Sequence, residues 1–173
     1  MNNSNGLIIL GHGKMKGVVN MFKYVKHLSF PENVSTNDLK MAKLIITQVG
    51  GSAGEHGATL RYFHQKFTMP DEKGRALLND IATEEMGHLE MVNTIVSQLM
   101  RDATLDEIKE AGLESFYTEH GKGVFPMNAS GVSFNADTFA VTGNPLADLS
   151  EDMAAELKAR VAYEHLIDLA TDK

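Results

Sequence analysis

Apolar residues recur every three or four positions between residues 70 and 101, which predicts a long amphipathic helix there. One face of this helix carries Leu77, Ile81, Val92, Ile95 and Leu99. The same stepping places Glu85 and His88 on that face, where the pattern otherwise has apolar side chains. Burying an unpaired carboxylate costs on the order of several kcal/mol. The two residues therefore indicate a buried partner charge or a bound metal ion.

A Glu-x-x-His pair on an inward helix face is the ligand pair of the di-metal carboxylate helix bundles. One such pair also arises by chance, and His88 can equally be an ordinary core histidine. The metal hypothesis therefore depends on whether other helices direct carboxylates to the same place.

A second helix is predicted from about Asp38 to Phe67, after the N-cap sequence Thr36-Asn37-Asp38. Its inward stripe includes Glu55 and, two turns later, Tyr62. Glycines at 50, 51, 54 and 57 each cost about 1 kcal/mol against alanine, so they indicate a bend or a close backbone approach. For Glu55 the alternative is a solvated charge on an irregular helix.

The connection at residues 68–71 is short, so the two helices are predicted to be antiparallel neighbours, with Pro70 starting the second of them. Glu55 and Glu85 stand at similar distances on either side of this turn. Because the rise per residue is the same in both helices, the two carboxylates are predicted to lie at nearly the same height.

A third long helix is predicted from about Pro145 to Ala170. It follows an irregular segment over 102–145 that contains a short helix ending at Gly112. Its stripe is Leu149, Met153, Glu156, Ala159, Tyr163 and Leu166. Glu156 is the one carboxylate on this stripe, although it can also be a polar edge residue. Three inward glutamates, one with a histidine three residues on, predict a metal site of Glu55, Glu85, His88 and Glu156.

A four-helix di-metal site needs a second Glu-x-x-His pair. The sequence offers none after Glu156, and the domain is therefore expected to stop before a fourth helix. His165 directly follows Glu164 and lies about 180° round the helix from Glu156, so it is not expected to serve as the missing ligand. The other histidines share no inward face with a carboxylate at ligand spacing, and they are expected to be surface or capping residues: His12, His27, His56, His64 and His120.

The composition excludes several functions. The net charge of -7 argues against a nucleic-acid partner, and the absence of cysteine excludes disulfides and thiolate-bound metals. No apolar run reaches the roughly 20 residues that span a membrane, and a cytoplasmic location is expected. Residues 1–20 carry an apolar patch with no basic region before it. They are expected to be a flexible leader before a domain over 21–173.

The chain resembles the manganese catalase family, most closely its shorter spore-coat branch, the CotJC type. The resemblance covers about residues 21–172 and rests on several stretches: Leu28-Ser-Phe-Pro31, Gly50-Gly-Ser-Ala-Gly-Glu55, Leu60-Arg-Tyr62, Ala82-Thr-Glu-Glu-Met-Gly-His-Leu-Glu-Met91, Asn128-Ala-Ser-Gly-Val-Ser-Phe-Asn-Ala136, Gly143-Asn-Pro-Leu-Ala-Asp148 and Ala155-Glu-Leu-Lys-Ala-Arg160.

This resemblance implies an all-α, ferritin-like four-helix bundle, of which the chain carries three long helices and a long irregular crossover. It implies a dimanganese centre that disproportionates hydrogen peroxide to water and oxygen. Glu55 is then a terminal ligand of the first metal, Glu85 the bridge, His88 the imidazole on the first metal and Glu156 a ligand of the second. Tyr62 matches a tyrosine close to the first metal. The family's last histidine ligand and its acid–base glutamate lie on the fourth helix and have no counterpart in this sequence.

Two alternatives stay open. The first is a spore-coat structural protein that keeps the bundle with little or no turnover, in a homo-oligomer or a coat assembly. The second, favoured less by the family-specific stretches, is a di-iron ferritin-like oxidase or store. Oxygen and imidazole ligands suit iron as well as manganese, and only the resemblance favours manganese.

Overall fold

Helices make up most of the described chain. The computed structural model describes residues 32–116, 123, 127–128, 130–135 and 140–172. These residues contain α1 (Leu39–Ile45), α2 (Thr47–Gly50), α3 (Glu55–Gln65), α4 (Glu72–Leu99), α5 (Leu105–Glu110) and α6 (Pro145–Leu169). The described residues also contain two short 3-10 turns, Lys66–Thr68 and Glu114–Phe116. They contain one isolated antiparallel bridge, between Met127 and Ser133, and no strand. The all-α prediction is confirmed. The predicted leader, His12, His27 and His120 lie outside the described residues.

The first long helix is broken, and the prediction of one helix over 38–67 is wrong. Asp38 caps α1 as expected, since its side chain accepts a hydrogen bond from the Met41 amide at 2.9 Å. The chain then leaves the helix at residues 51–54. A Cβ on Gly51 or Gly54 would stand 2.6 Å from a backbone carbonyl oxygen, so this tight turn requires glycine. As a result, Glu55 is the first residue of α3 rather than a mid-helix residue.

Helix α4 matches its predicted span to within two residues at each end. Asp71 caps it by accepting a hydrogen bond from the Gly74 amide at 2.8 Å. Its buried residues are Leu78, Ala82, Glu85, Val92, Val96 and Leu99. Leu77 is 57% exposed, so its prediction as a core residue is wrong. The inward face is rotated toward Leu78, and Glu85 stays on it.

Two apolar clusters flank the middle of α4. The larger one joins α1, α4 and α5 through residues such as Ala42, Val92, Val96 and Ile108. The smaller one joins α3 and α4 through Ala58, Tyr62, Met69, Leu78 and Ala82. Glu85 lies on α4 between the parts of the helix that serve the two clusters. The polar site therefore sits in a gap of the apolar core, which holds its two helices in place.

Helix α6 begins where the sequence predicts it, because Asn144 caps it through the amides of Leu146 and Ala147 at 3.1 Å each. The first half of its predicted stripe is wrong. Leu149 is 37% exposed and Met153 is 64% exposed, whereas Asp148, Asp152 and Ala155 are buried. In the second half, Tyr163 and Leu166 pack against the larger cluster as expected. Helix α6 is apolar on two faces, so the spacing of its apolar residues did not identify the inner one.

Candidate metal centre

Three of the four predicted ligands meet between α3 and α4. One ligand atom from each of Glu55, Glu85 and His88 lies within 4.8 Å of the other two. His88 Nδ1 stands 3.1 Å from Glu85 Oε2 and 3.8 Å from Glu55 Oε2. The two carboxylates are 6% and 5% exposed, while the His88 side chain is 38% exposed. The antiparallel pairing of α3 and α4 brings the two carboxylates to the same height, as predicted.

The pKa values of Glu55, Glu85 and His88 depend on one another. Burial raises the pKa of Glu55 to about 8, and the neighbouring Glu85 carboxylate adds to the effect. Burial also acts to raise the pKa of Glu85, but hydrogen bonds from His88 and Glu55 hold it below its usual value. The hydrogen bond to Glu85 raises the pKa of His88 to about 9. At neutral pH the group therefore keeps protons on Glu55 and His88, which a metal ion would have to displace.

Glu156 stands apart from these three ligands. It is exposed on α6 and accepts a hydrogen bond from the Tyr62 hydroxyl. Tyr62 is 2% exposed and was predicted to lie close to a metal. Burial raises the pKa of Tyr62, and the bond to Glu156 raises it further, so the phenol stays protonated and donates. The structure thus brings Glu55, Glu85 and His88 together and leaves Glu156 on the opposite wall, held by Tyr62.

Tyr163 takes part in the site, although it was predicted only as a residue on the inward stripe of its helix. Its hydroxyl donates a hydrogen bond to Glu55 Oε1, and burial raises its pKa. A signal for this contact exists in the sequence. Tyr163 is two turns after Glu156 on the predicted stripe, and a buried tyrosine hydroxyl normally has a polar partner. Both tyrosines therefore orient carboxylates, one on α3 and one on α6.

A cavity of about 200 Å³ joins these residues. It is lined by Glu55, Glu85, His88, Tyr62, Tyr163, Glu156, Arg61, Arg160 and four alanines. Carboxylate oxygens with one imidazole nitrogen are ligands that manganese and iron accept, as does zinc. Two buried carboxyl groups within hydrogen-bonding distance of each other can both ionise only when positive charge lies beside them. On this donor chemistry the residues fit a divalent metal ion.

The prediction that His56 is a surface or capping residue is wrong. It is half-buried rather than on the surface, with its ring 4.5 Å from that of Phe134, and burial lowers its pKa. His165 is exposed. Neither histidine belongs to the metal-ligand group found in the described part of the chain.

An inward Glu-x-x-His pair that faces a glutamate of the neighbouring antiparallel helix is the arrangement of the ferritin-like carboxylate bundles. Residues 21–173 match the model of the manganese containing catalases, and the chain belongs to this family.

Relatives of known structure or name agree with this assignment. The chain is 48% identical over 152 residues to Protein CotJC of Bacillus subtilis, covering 88% of this chain and 80% of that one. It is 32% identical over 166 residues to a manganese catalase of the same species, covering 88% of this chain and 61% of that protein. The crystal structure of wild-type KatB, a manganese catalase from Anabaena, superposes with a TM-score of 0.77 at 31% identity, covering 88% of this chain and 68% of that one. The ferritin-like bundle predicted from the sequence is thereby confirmed.

The chain spans 61% of the length of the Bacillus subtilis manganese catalase that it matches. Within the described residues, none of the helices combines the length and the apolar character needed to cross a membrane.

Proposed function

We propose that this chain is a manganese catalase-like protein that disproportionates hydrogen peroxide to water and oxygen at a dimanganese carboxylate site. The observation that carries the proposal is the buried group of Glu55, Glu85 and His88, with ligand atoms within 4.8 Å of one another. Membership in the manganese containing catalase family favours manganese as the metal and hydrogen peroxide as the substrate. The ligand chemistry alone also suits iron.

Each residue has a distinct part in this proposal. Glu55, Glu85 and His88 would hold one metal ion, and Glu156 would contribute to holding a second. Bound manganese would supply two-electron redox chemistry through its Mn(II) and Mn(III) states. The hydroxyls of Tyr163 and Tyr62 donate to Glu55 and Glu156 and orient these carboxylates toward the cavity. The apolar clusters lie on either side of Glu55 and Glu85, which are 6% and 5% exposed and so are largely shielded from water.

Loading the purified chain with Mn(II) is expected to give oxygen release from peroxide, with two peroxide molecules consumed for each oxygen molecule. Free Mn(II) at the same concentration, metal-free protein and iron-loaded protein are the controls. The variant His165→Ala removes an exposed histidine of α6 and is expected to behave like the wild type. If the manganese-loaded chain consumes peroxide no faster than free Mn(II), the proposed activity is refuted.

A second candidate function is assembly, and the outer face of α6 favours it. Along this face Leu146 is 79%, Met153 64%, Leu157 63% and Val161 48% exposed. A helix with apolar residues on two faces is normally covered on both, and a large exposed apolar patch marks an interaction surface. We propose that this face mediates self-association, in a homo-oligomer or in a coat layer. The similarity to Protein CotJC favours a spore-coat location over a purely cytoplasmic one.

The chain is therefore expected to self-associate, and Leu157→Lys is expected to shift it toward the monomer. A lysine in the middle of the apolar face must lose its hydration when the face is covered, which weakens the contact. The control is Glu151→Lys, which adds the same side chain at an exposed position on another side of α6. Light scattering measures the mass of each variant. A wild-type chain that stays monomeric at high micromolar concentration would contradict the assembly proposal.

A further inference from the structure

A second group of buried polar side chains lies between α3 and α6, beside the candidate metal centre. It consists of Arg61 and Gln65 of α3 and Asp152 of α6, and we refer to it as the Arg61–Asp152 cluster. Arg61 is 2% exposed, Gln65 0% and Asp152 6%. A buried guanidinium and a buried carboxylate are costly unless each finds hydrogen-bond partners.

The cluster makes only some of its hydrogen bonds within the described residues. Arg61 Nη2 donates to the Ser52 carbonyl at 3.0 Å. Gln65 Nε2 donates to the Ala140 carbonyl at 2.9 Å and to Asp152 Oδ1 at 3.0 Å. Four buried atoms of the cluster have no partner among the described residues: Arg61 Nε, Arg61 Nη1, Gln65 Oε1 and Asp152 Oδ2.

Internal water is the ligand that these four atoms require. An unpaired buried polar atom destabilises the fold, and proteins normally satisfy such atoms with ordered water. The set contains donor atoms on Arg61 and acceptor atoms on Gln65 and Asp152. A simple anion would serve the donors only and a metal ion the acceptors only, whereas water both donates and accepts.

The cluster also reaches the cavity of the metal centre. Arg61 is one of the residues that line this cavity, and its charge is close enough to Asp152 to lower the pKa of that carboxyl. Asp152 precedes Glu156 by one turn of α6. Water bound to the unpartnered Arg61 atoms would therefore lie between the cavity and Asp152.

Peroxide disproportionation requires a place for protons. Oxidation of one peroxide molecule to oxygen releases two protons and two electrons. Reduction of the second breaks its O–O bond and consumes two protons and two electrons, giving two water molecules. In the proposed function, bound metal ions would carry the electrons, and Glu55, Glu85, His88 and Glu156 would serve as their ligands. Asp152 is a buried carboxyl near the cavity that no metal uses.

We propose that Asp152 is the proton-holding residue of this site and exchanges protons with the cavity through water bound to Arg61. The proposal rests on the proposed catalase function. It assigns to α6 a role in the reaction that is separate from the metal contact of Glu156.

The electrostatics of Asp152 suit this role. Burial raises the pKa of Asp152 to about 6, and the hydrogen bond from Gln65 and the charge of Arg61 limit the rise. The charged and titratable groups that face it are Arg61 and Tyr62 of α3 and Asp148 and Glu156 of its own helix. A carboxyl that titrates close to the working pH can both accept a proton and return it.

The test compares Asp152→Asn with the wild type in the full manganese-loaded chain. Asparagine keeps the size of the side chain and can still accept the hydrogen bond from Gln65, but it cannot take up a proton. Oxygen release is expected to fall about 100-fold, and the inflection of its pH profile near the Asp152 pKa is expected to disappear, while the manganese content stays unchanged.

Glu151→Gln, at an exposed position one residue earlier, is expected to match the wild type. Arg61→Met is expected to move the inflection to higher pH, because Arg61 lowers the pKa of Asp152. An Asp152→Asn variant with wild-type rate and pH profile would overturn the proposal.

Infrared spectroscopy separates this proposal from the function on which it rests. The difference spectrum between the wild type and Asp152→Asn is expected to show the carbonyl stretch of one protonated carboxyl group, appearing as the pH falls through about 6. This measurement needs no turnover. A wild-type chain that releases no oxygen refutes the catalase function, but an infrared titration at this pH still supports Asp152 as the residue that holds the proton. A difference spectrum with no such titration overturns the proposal, whatever the activity.

Discussion

Glu85→Gln is expected to remove most of the bound metal, whereas Glu84→Gln is expected to keep it. Glu85 is 5% exposed and lies within the ligand group, while Glu84 is exposed and points about 100° away around α4. Loss of a residue that only supports a ligand weakens metal binding about 10–100-fold, so loss of Glu85, a proposed ligand, should cost at least as much. Elemental analysis of manganese per chain after dialysis measures the difference. Equal losses in the two variants would contradict the assignment of Glu85.

The metal-free protein is expected to become less stable as the pH rises from about 5 to about 9. The pKa of Glu55 is raised from 4.5 to about 8 in the folded state. The stability that protonated Glu55 contributes to the folded state is therefore complete below pH 4.5, and it is lost as the pH rises through about 8. The pKa of His88 is raised from 6.5 to about 9, so its contribution is complete below 6.5 and lost through 9. Glu85, with a lowered pKa, acts in the opposite sense and loses its contribution only on acidification.

A metal ion replaces the protons that the site otherwise holds, so the stabilisation by manganese should increase over the same pH range. We expect the Tm of the metal-free protein to fall by about 5–10 °C from pH 5 to pH 9 and most of this loss to be recovered with Mn(II). Thermal unfolding at a series of pH values, with and without Mn(II), measures both effects. Glu55→Gln imitates the protonated carboxyl and should flatten the curve. A Tm of the metal-free protein that is constant or rises with pH would contradict these pKa shifts.

The sequence predicts the outline of the fold because its helix ends are explicit. Asp71 caps α4 and Asn144-Pro145 starts α6, and both helices lie within two residues of their predicted bounds. The break before Glu55 was not predictable to the residue. Glycines at 50, 51, 54 and 57 are equally compatible with a bend and with a close helix contact. The backbone geometry of the structure shows that Gly51 and Gly54 form a tight turn at residues 51–54.

The candidate site was predictable where one apolar stripe was unambiguous. Glu85 and His88 stand on the inner face of α4, and the antiparallel partner brings Glu55 to them. Helix α6 has apolar residues on two faces, so its pattern pointed to Leu149 and Met153 and missed the buried Asp152. Arg61 was missed for another reason. Its burial depends on the turn before α3, where the Ser52 carbonyl accepts its hydrogen bond, and that turn has no periodic signature.

We propose that Glu55, Glu85 and His88 form a manganese site. Anomalous diffraction at the manganese absorption edge, from crystals of this chain grown with Mn(II), tests it directly. We expect an anomalous peak bonded to the carboxylates of Glu55 and Glu85 and to the His88 imidazole, with any second peak on the side of Glu156. Crystals with manganese bound elsewhere, or with none between α3 and α4, would contradict it.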